Sequence, residues 1–270
     1  YLEDVMKSVN IFDKIKAAYR AGRPVEQVVN SIHAGNEDDT LLILFTSGSE
    51  KEPKGVQLTH RNITQNYESL IKAFSFSSDD IFLANLPYFH VFGQTANLWV
   101  PLSLGMTLVT YANPLDSKTI CEIVRDEKVT LMAGTPTFFW GYLRNSKPGD
   151  FASVRILLSG ADKCPDALRK GFAETHSKVL LEAYGTTETS PAITVNTLEY
   201  NRPGSVGRPI EGVQVRLENY ETGEPCGVGG GLRRLRAEPG DRARLEIAGP
   251  HPAHPALVGH VAEHASRAFE

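Results

Sequence analysis

The apolar run 41–45 gives way to the small, polar stretch "TSGSEKEPKG" at 46–55, and then to Ile63, Tyr67, Leu70, Ile71 and Phe74, which recur three or four residues apart. A short unbroken apolar run reads as a buried strand and the spaced residues as an amphipathic helix, so a strand, a loop and a helix are expected in that order. Further apolar runs at 81–86, 107–111, 130–133, 154–158 and 179–183 predict strands, and helical segments follow Asp116, Pro136 and Pro165. Strand and helix in alternation imply an α/β fold, with mostly parallel sheets layered with helices. From Ala192 onward the pattern becomes short and β-like; Val213, Val215 and Leu217 alternate with polar neighbours as in a half-exposed strand, which predicts a smaller β region.

Composition narrows the partners. Hydrophobic residues make up 41% of 270, enough for a real core, and 32 acidic against 28 basic side chains leave a formal charge of -4. No polybasic surface for nucleic acid or an anionic membrane is indicated, and no run of about 18 apolar residues would span a bilayer. Cys121, Cys164 and Cys226 are widely spaced and lack zinc-site spacing, which fits a reducing cytoplasm. The chain begins without Met or a signal-peptide pattern, and its start is expected to be a cut edge. Beyond Gly229 its character shifts: residues 231–270 hold six Arg and no Lys, against ten Arg and twelve Lys in residues 1–230. Residues 230–270 are therefore expected to be a poorly packed tail, or sequence from a frameshift or fusion.

In the 46–55 loop, Thr46, Ser47 and Ser49 supply hydroxyls, Gly48 permits positive φ, Lys54 adds a cation, and successive N–H groups can converge on one anion. Phosphate binds at such loops in open α/β sheets. Taken alone the loop reads equally as an exposed connector. It is not a Walker A loop, because Lys54 is followed by Gly55 rather than Ser or Thr.

Five further stretches follow in order: "LPYFHVFG" (86–93), "GTPTFF" (134–139), "LLSGAD" (157–162), "EAYGTTETSP" (182–191) and "GSVGRP" (204–209). With the loop they resemble the adenylate-forming (AMP-binding) superfamily of acyl-CoA synthetases, luciferases and peptide-synthetase adenylation domains. Within it the chain looks most like bacterial fatty acyl-ACP synthetases and long-chain fatty acid–CoA ligases, including the synthetase part of fused acylglycerophosphoethanolamine acyltransferases. The resemblance covers residues 1–229, as the central part of a large N-terminal domain. It implies ATP-dependent activation of a fatty acid to an acyl-adenylate, followed by transfer to the thiol of CoA or acyl carrier protein. By the same resemblance Thr46, Ser47, Gly48, Ser49 and Lys54 hold the β- and γ-phosphates, Thr187 the α-phosphate and Glu188 a Mg²⁺ ion. Tyr184 lies against adenine, Gly160, Ala161 and Gly185 let the purine approach the backbone, and His90 stands beside the acyl carboxylate.

Several readings stay open at this point. Trp99, Phe138, Phe139, Trp140 and Tyr142 read more readily as core than as an acyl tunnel. Glu182 and Asp162 read as solvated or capping carboxylates. The family's ribose-binding aspartate, hinge and C-terminal lysine find no match, and Asp241 is not assigned the ribose role. A catalytically incomplete nucleotide-binding or interaction module is thus the alternative to a ligase. Localisation is expected to be cytoplasmic, with membrane association through a fused domain outside this chain left open.

Overall fold

A computed structural model of the chain describes residues 2–30, 35–46, 53–219 and 243–248. It divides into two units, residues 1–39 and 40–270. The first holds helices α1 (Leu2–Ser8), α2 (Ile11–Ala21) and α3 (Val25–Val29). Helix α2 starts at a reciprocal cap, in which the Asn10 side chain accepts from the Phe12 and Asp13 amides while the Asp13 carboxylate accepts from the Asn10 amide.

The second unit begins with a hairpin, β1 (Thr40–Thr46) and β2 (Lys54–Thr59), which leads into α4 (His60–Phe74). Next come β3 (Ile81–Ala84), α5 (Val91–Gln94), a π-helical turn (Thr95–Trp99), α6 (Val100–Leu104) and β4 (Thr107–Thr110). Then α7 (Ser117–Asp126), β5 (Leu131–Gly134), α8 (Pro136–Asn145), β6 (Ile156–Ser159), α9 (Asp166–His176) and β7 (Leu180–Gly185) follow in alternation. After a 3₁₀ turn (Thr187–Thr189) the chain runs through β8 (Ala192–Val195), β9 (Arg208–Pro209), β10 (Gln214–Asn219) and β11 (Ala243–Ala248).

Seven strands form one sheet in the order β4-β3-β5-β6-β7-β8-β9; β4 through β7 are parallel, and β8 and β9 add antiparallel. Successive residues of its central strands feed two separate cores. Phe82, Leu131, Ile156, Leu158 and Leu181 pack with Leu70 and Phe74 of α4, whereas Leu83, Met132, Leu157 and Leu180 pack with Ile120, Phe139, Tyr142, Leu168 and Phe172 of α7, α8 and α9. A sheet buried on both faces explains why these strands read as continuous apolar runs. Ordinary core is therefore the role of Phe139 and Tyr142, both fully buried, with Phe139 edge-on to Tyr142 and Phe172. Trp99 packs against Leu58, Ile63 and Val91.

The hairpin departs from the sequence expectation twice. β1 is a strand, but only one of its faces is covered: Leu42 and Leu44 pack toward Leu58, Ile63 and Val91, while Ile43 and Phe45 are 52% and 77% exposed. The loop also does not lead straight into a helix, because β2 intervenes and pairs antiparallel with β1. At the other end β10 and β11 pair antiparallel, so 243–248 of the unusual C-terminal stretch forms a strand; the remainder of that stretch lies outside the described residues.

Candidate functional site

Strands β3, β5, β6 and β7 run parallel, so their carboxyl ends share one edge of the sheet. "LPYFHVFG" follows β3, "GTPTFF" overlaps the end of β5, "SGAD" closes β6 and "YGTTETS" leaves β7. Four stretches far apart in the chain are thereby gathered where open α/β sheets hold their ligands.

The hairpin joins them. Thr46 and Lys54 are partners in the last register of β1 and β2, so both stand at the base of the connecting loop. Ser47, Gly48 and Ser49 lie outside the described residues. β2 runs beside the Thr187–Thr189 turn, with Cα atoms within 8 Å. Asn66 of α4, 6% exposed, holds the turn to that helix: its Nδ2 donates to the Thr189 carbonyl at 3.0 Å and the Ala192 carbonyl at 2.9 Å, and its Oδ1 accepts from the Ala192 amide at 3.2 Å.

The turn carrying Thr187 and Glu188 is folded on itself. The Thr186 amide donates to Thr189 Oγ1 at 3.0 Å and to the Pro191 carbonyl at 3.0 Å, and Ser190 closes the turn in a left-handed conformation. Thr95 Oγ1 donates to the Ser190 carbonyl at 3.3 Å, which anchors the turn to the segment following His90. Glu188 is half-buried. Burial, and secondarily the Glu188 charge, push the Tyr184 hydroxyl up to about 12; that hydroxyl is buried without a hydrogen-bond partner.

The glycines are used by the protein itself. A Cβ on Gly185 would stand 2.0 Å from the Pro191 carbonyl oxygen, so the close approach needed there is backbone against backbone. A Cβ on Gly160 would meet the Phe92 ring at 3.3 Å, so Phe92 occupies the room beside it, and Ala161 turns the loop at φ 67°. Phe92 belongs to the His90 stretch, so the β3 and β6 loops touch.

His90 caps α5: its Nδ1 accepts from the Phe92 amide at 3.2 Å. Accepting at Nδ1 requires the neutral ring with its proton on Nε2. Burial lowers the His90 pKa from its usual 6.5, in the same sense, although much of the residue's surface remains exposed. The neutral imidazole is thus the resting form at neutral pH, with one N–H to offer.

Behind the β6 and β7 loops Glu182 is buried rather than solvated. It pairs with Arg169 and accepts from the Cys164 amide at 3.3 Å. Burial raises its pKa above the usual carboxylate value, with Arg169 opposing. Asn66 and Thr95 are positioning groups that sequence reasoning did not single out. The signal for Asn66 was a lone amide in the stripe Ile63, Asn66, Leu70, Phe74, all buried at helical spacing.

Among the described residues no group of three or more His, Cys, Asp or Glu side chains is arranged to hold a metal by itself. A single half-buried carboxylate suits a cation that takes most of its oxygens from phosphates and water, as Mg²⁺ does; Glu188 fits that description. Phe138 and Trp140 line a groove of about 350 Å³ with Pro114, Leu115 and Arg144.

Residues 4–242 match the family described as AMP-binding enzyme. The chain is 33% identical over 196 residues to the long-chain-fatty-acid–CoA ligase of Bacillus subtilis (strain 168), covering 70% of this chain and 34% of that one. It is 30% identical over 220 residues to malonate–CoA ligase ACSF3, mitochondrial, of Mus musculus, covering 75% and 37%. The crystal structure of apo MatB from Rhodopseudomonas palustris superposes with a TM-score of 0.70 at 26% identity, over 82% of this chain and 41% of that one. The chain thus spans about a third of the length of these curated relatives. With the parallel sheet, the motif loops at its carboxyl edge and the match over most of its length, the chain belongs to the AMP-binding enzyme family.

Proposed function

We propose that this chain carries the ATP-binding and acid-binding part of an acid–thiol ligase acting on a fatty acid in the cytoplasm. The observation that carries the reading is the approach of β2, which begins at Lys54, to the Thr187–Thr189 turn, which carries the half-buried Glu188. In the reaction, a carboxylate oxygen of the acid attacks the α-phosphorus of ATP, the bond to the β-phosphate bridging oxygen breaks, and pyrophosphate leaves. The thiol of CoA or acyl carrier protein then attacks the acyl carbon; AMP departs and the thiol proton is lost to solvent. The protein contributes orientation and charge stabilisation, and no covalent enzyme intermediate is needed.

In this proposal Thr46, Ser47, Gly48, Ser49 and Lys54 hold the β- and γ-phosphates, Thr187 the α-phosphate and Glu188 the Mg²⁺ ion. Bound Mg²⁺ offsets the phosphate charge. Tyr184 flanks the adenine, near Gly160, Ala161 and Gly185. Neutral His90 donates its Nε2–H to the acid carboxylate, while its Nδ1 cap keeps the ring from turning. Burial pushes the Cys164 thiol up to about 11, so it is a poor nucleophile and has no part in the chemistry. Buried, unbridged Cys121 and Cys164 suit a reducing compartment, and no helix among the described residues is long and apolar enough to cross a membrane.

The test is acid-dependent exchange of labelled pyrophosphate into ATP by a protein carrying this segment. Exchange that requires a medium- or long-chain fatty acid supports the proposal; no exchange with any such acid refutes it.

A further inference from the structure

Helix α4 buries one stripe, Ile63, Asn66, Leu70 and Phe74, and Asn66 is its single polar member. An amide in that setting is costly unless its bonds are made. Asn66 makes three, all to Thr189 and Ala192, and it engages both the N–H and the C=O of Ala192 as a neighbouring strand would. The segment so gripped immediately follows Thr187 and Glu188. Helix α4 itself begins at the residue after β2, so Asn66 lies roughly 9 Å along a rigid rod from the end of the hairpin. Asn66 therefore fixes the segment that follows Glu188 to the helix that continues from β2, the strand that carries Lys54 at its far end. Thr95 also holds the same turn, through the Ser190 carbonyl.

We propose that Asn66 is a positioning residue that sets the separation between the β1–β2 hairpin and the Thr187–Glu188 turn, and so governs the metal-dependent part of nucleotide binding. This rests on the ligase reading of the site. Metal-free ATP is held chiefly by the hairpin, whereas the gain on adding Mg²⁺ requires Glu188 to face the same phosphates. Asn66 acts only on the second quantity.

The experiment is calorimetric titration of this chain with ATP, once with excess Mg²⁺ and once with EDTA, for wild type, Asn66→Leu and Asn66→Asp. Asn66→Leu keeps the branching at Cγ and removes all three bonds. It is expected to lose about tenfold of the Mg²⁺-dependent gain while metal-free affinity changes less than about threefold. Asn66→Asp keeps the acceptor for the Ala192 amide and loses both donations; part of the gain should return as pH falls from about 8 to about 5.5, where a buried carboxyl regains a proton to donate. Hydrogen exchange at the Ala192 amide, faster in Asn66→Leu than in Asn66→Asp, reports the same bond without any nucleotide.

Wild type that binds no ATP in either condition would sink the ligase reading and this inference with it. Wild type that gains affinity with Mg²⁺, alongside variants that gain equally, would overturn the inference alone. A parallel fall in both affinities, or failure of both variants to fold, would assign Asn66 a purely structural role and overturn it as well.

Discussion

Replacing Gly185 by Ala probes the link between the sheet and the Glu188 turn. The new Cβ would stand 2.0 Å from the Pro191 carbonyl oxygen, 2.7 Å from its carbon and 3.1 Å from the Ala192 Cα, all backbone atoms that no rotamer change can move aside. An ordinary carbon–oxygen contact is about 3.3 Å, so β7 and β8 must part by about 1 Å. That displacement works directly against the Thr186 amide bond to the Pro191 carbonyl. Overpacking costs about 1–3 kcal/mol and a weakened hydrogen bond about 1 more, so about 3 kcal/mol is expected. In a chain of this size that lowers Tm by about 6–12 °C. Gly105 is the control: it also lacks a side chain by need, at φ 66°, but nothing lies within 4 Å of its Cβ position. Gly105→Ala should cost only the left-handed penalty of about 1 kcal/mol. Thermal unfolding of both variants, followed by circular dichroism, decides the matter. Equal Tm losses, or a Gly185→Ala loss under about 2 °C, would refute the backbone-contact argument.

Two pH-linked outcomes follow from named groups. Burial alone raises the Asp80 pKa, but hydrogen bonds from Arg155, the Ser77 amide and Thr130 outweigh it and hold the carboxyl below its usual 3.8. Its contribution is therefore complete above that value and lost as pH falls through the lower folded value, so urea midpoints measured on descending pH should fall less steeply in Asp80→Asn than in wild type. For His90, burial lowers the pKa, the unfolded chain binds the extra proton, and stability from the cap is present above about 6.5 and lost as pH falls through the lower folded value. His90→Asn should retain the cap and His90→Ala should lose about 1 kcal/mol of it; equal unfolding midpoints for the two would contradict the capping role.

The parallel sheet was legible because its central strands are apolar on both faces, as Leu157 and Leu158 show by entering different cores. The same rule misled at 41–45, where five apolar residues in a row hide a strand with Ile43 and Phe45 turned outward. β2 was missed because Val56 and Leu58 give only two beats of alternation between Gly55, Gln57 and Thr59, too few to stand out beside a Lys-rich loop. Motif loops after β3, β6 and β7 were readable as candidates, but what fills the space at Gly160 and Gly185 was not. Phe92 reaches Gly160 from a stretch far earlier in the chain, and Pro191 reaches Gly185 only because the 187–189 turn folds the chain back on β7. Glu182 likewise reads as a surface carboxylate until β7 is placed between β6 and β8, opposite Arg169 of α9.

The central claim is that the hairpin and the Glu188 turn serve one triphosphate. Calorimetric titration of MgATP into this chain, wild type against Lys54→Ala and Glu188→Ala, measures it most directly. The account expects binding by wild type and a loss of about tenfold or more in each variant, the scale of one removed charge-assisted contact. Three superimposable isotherms would contradict it.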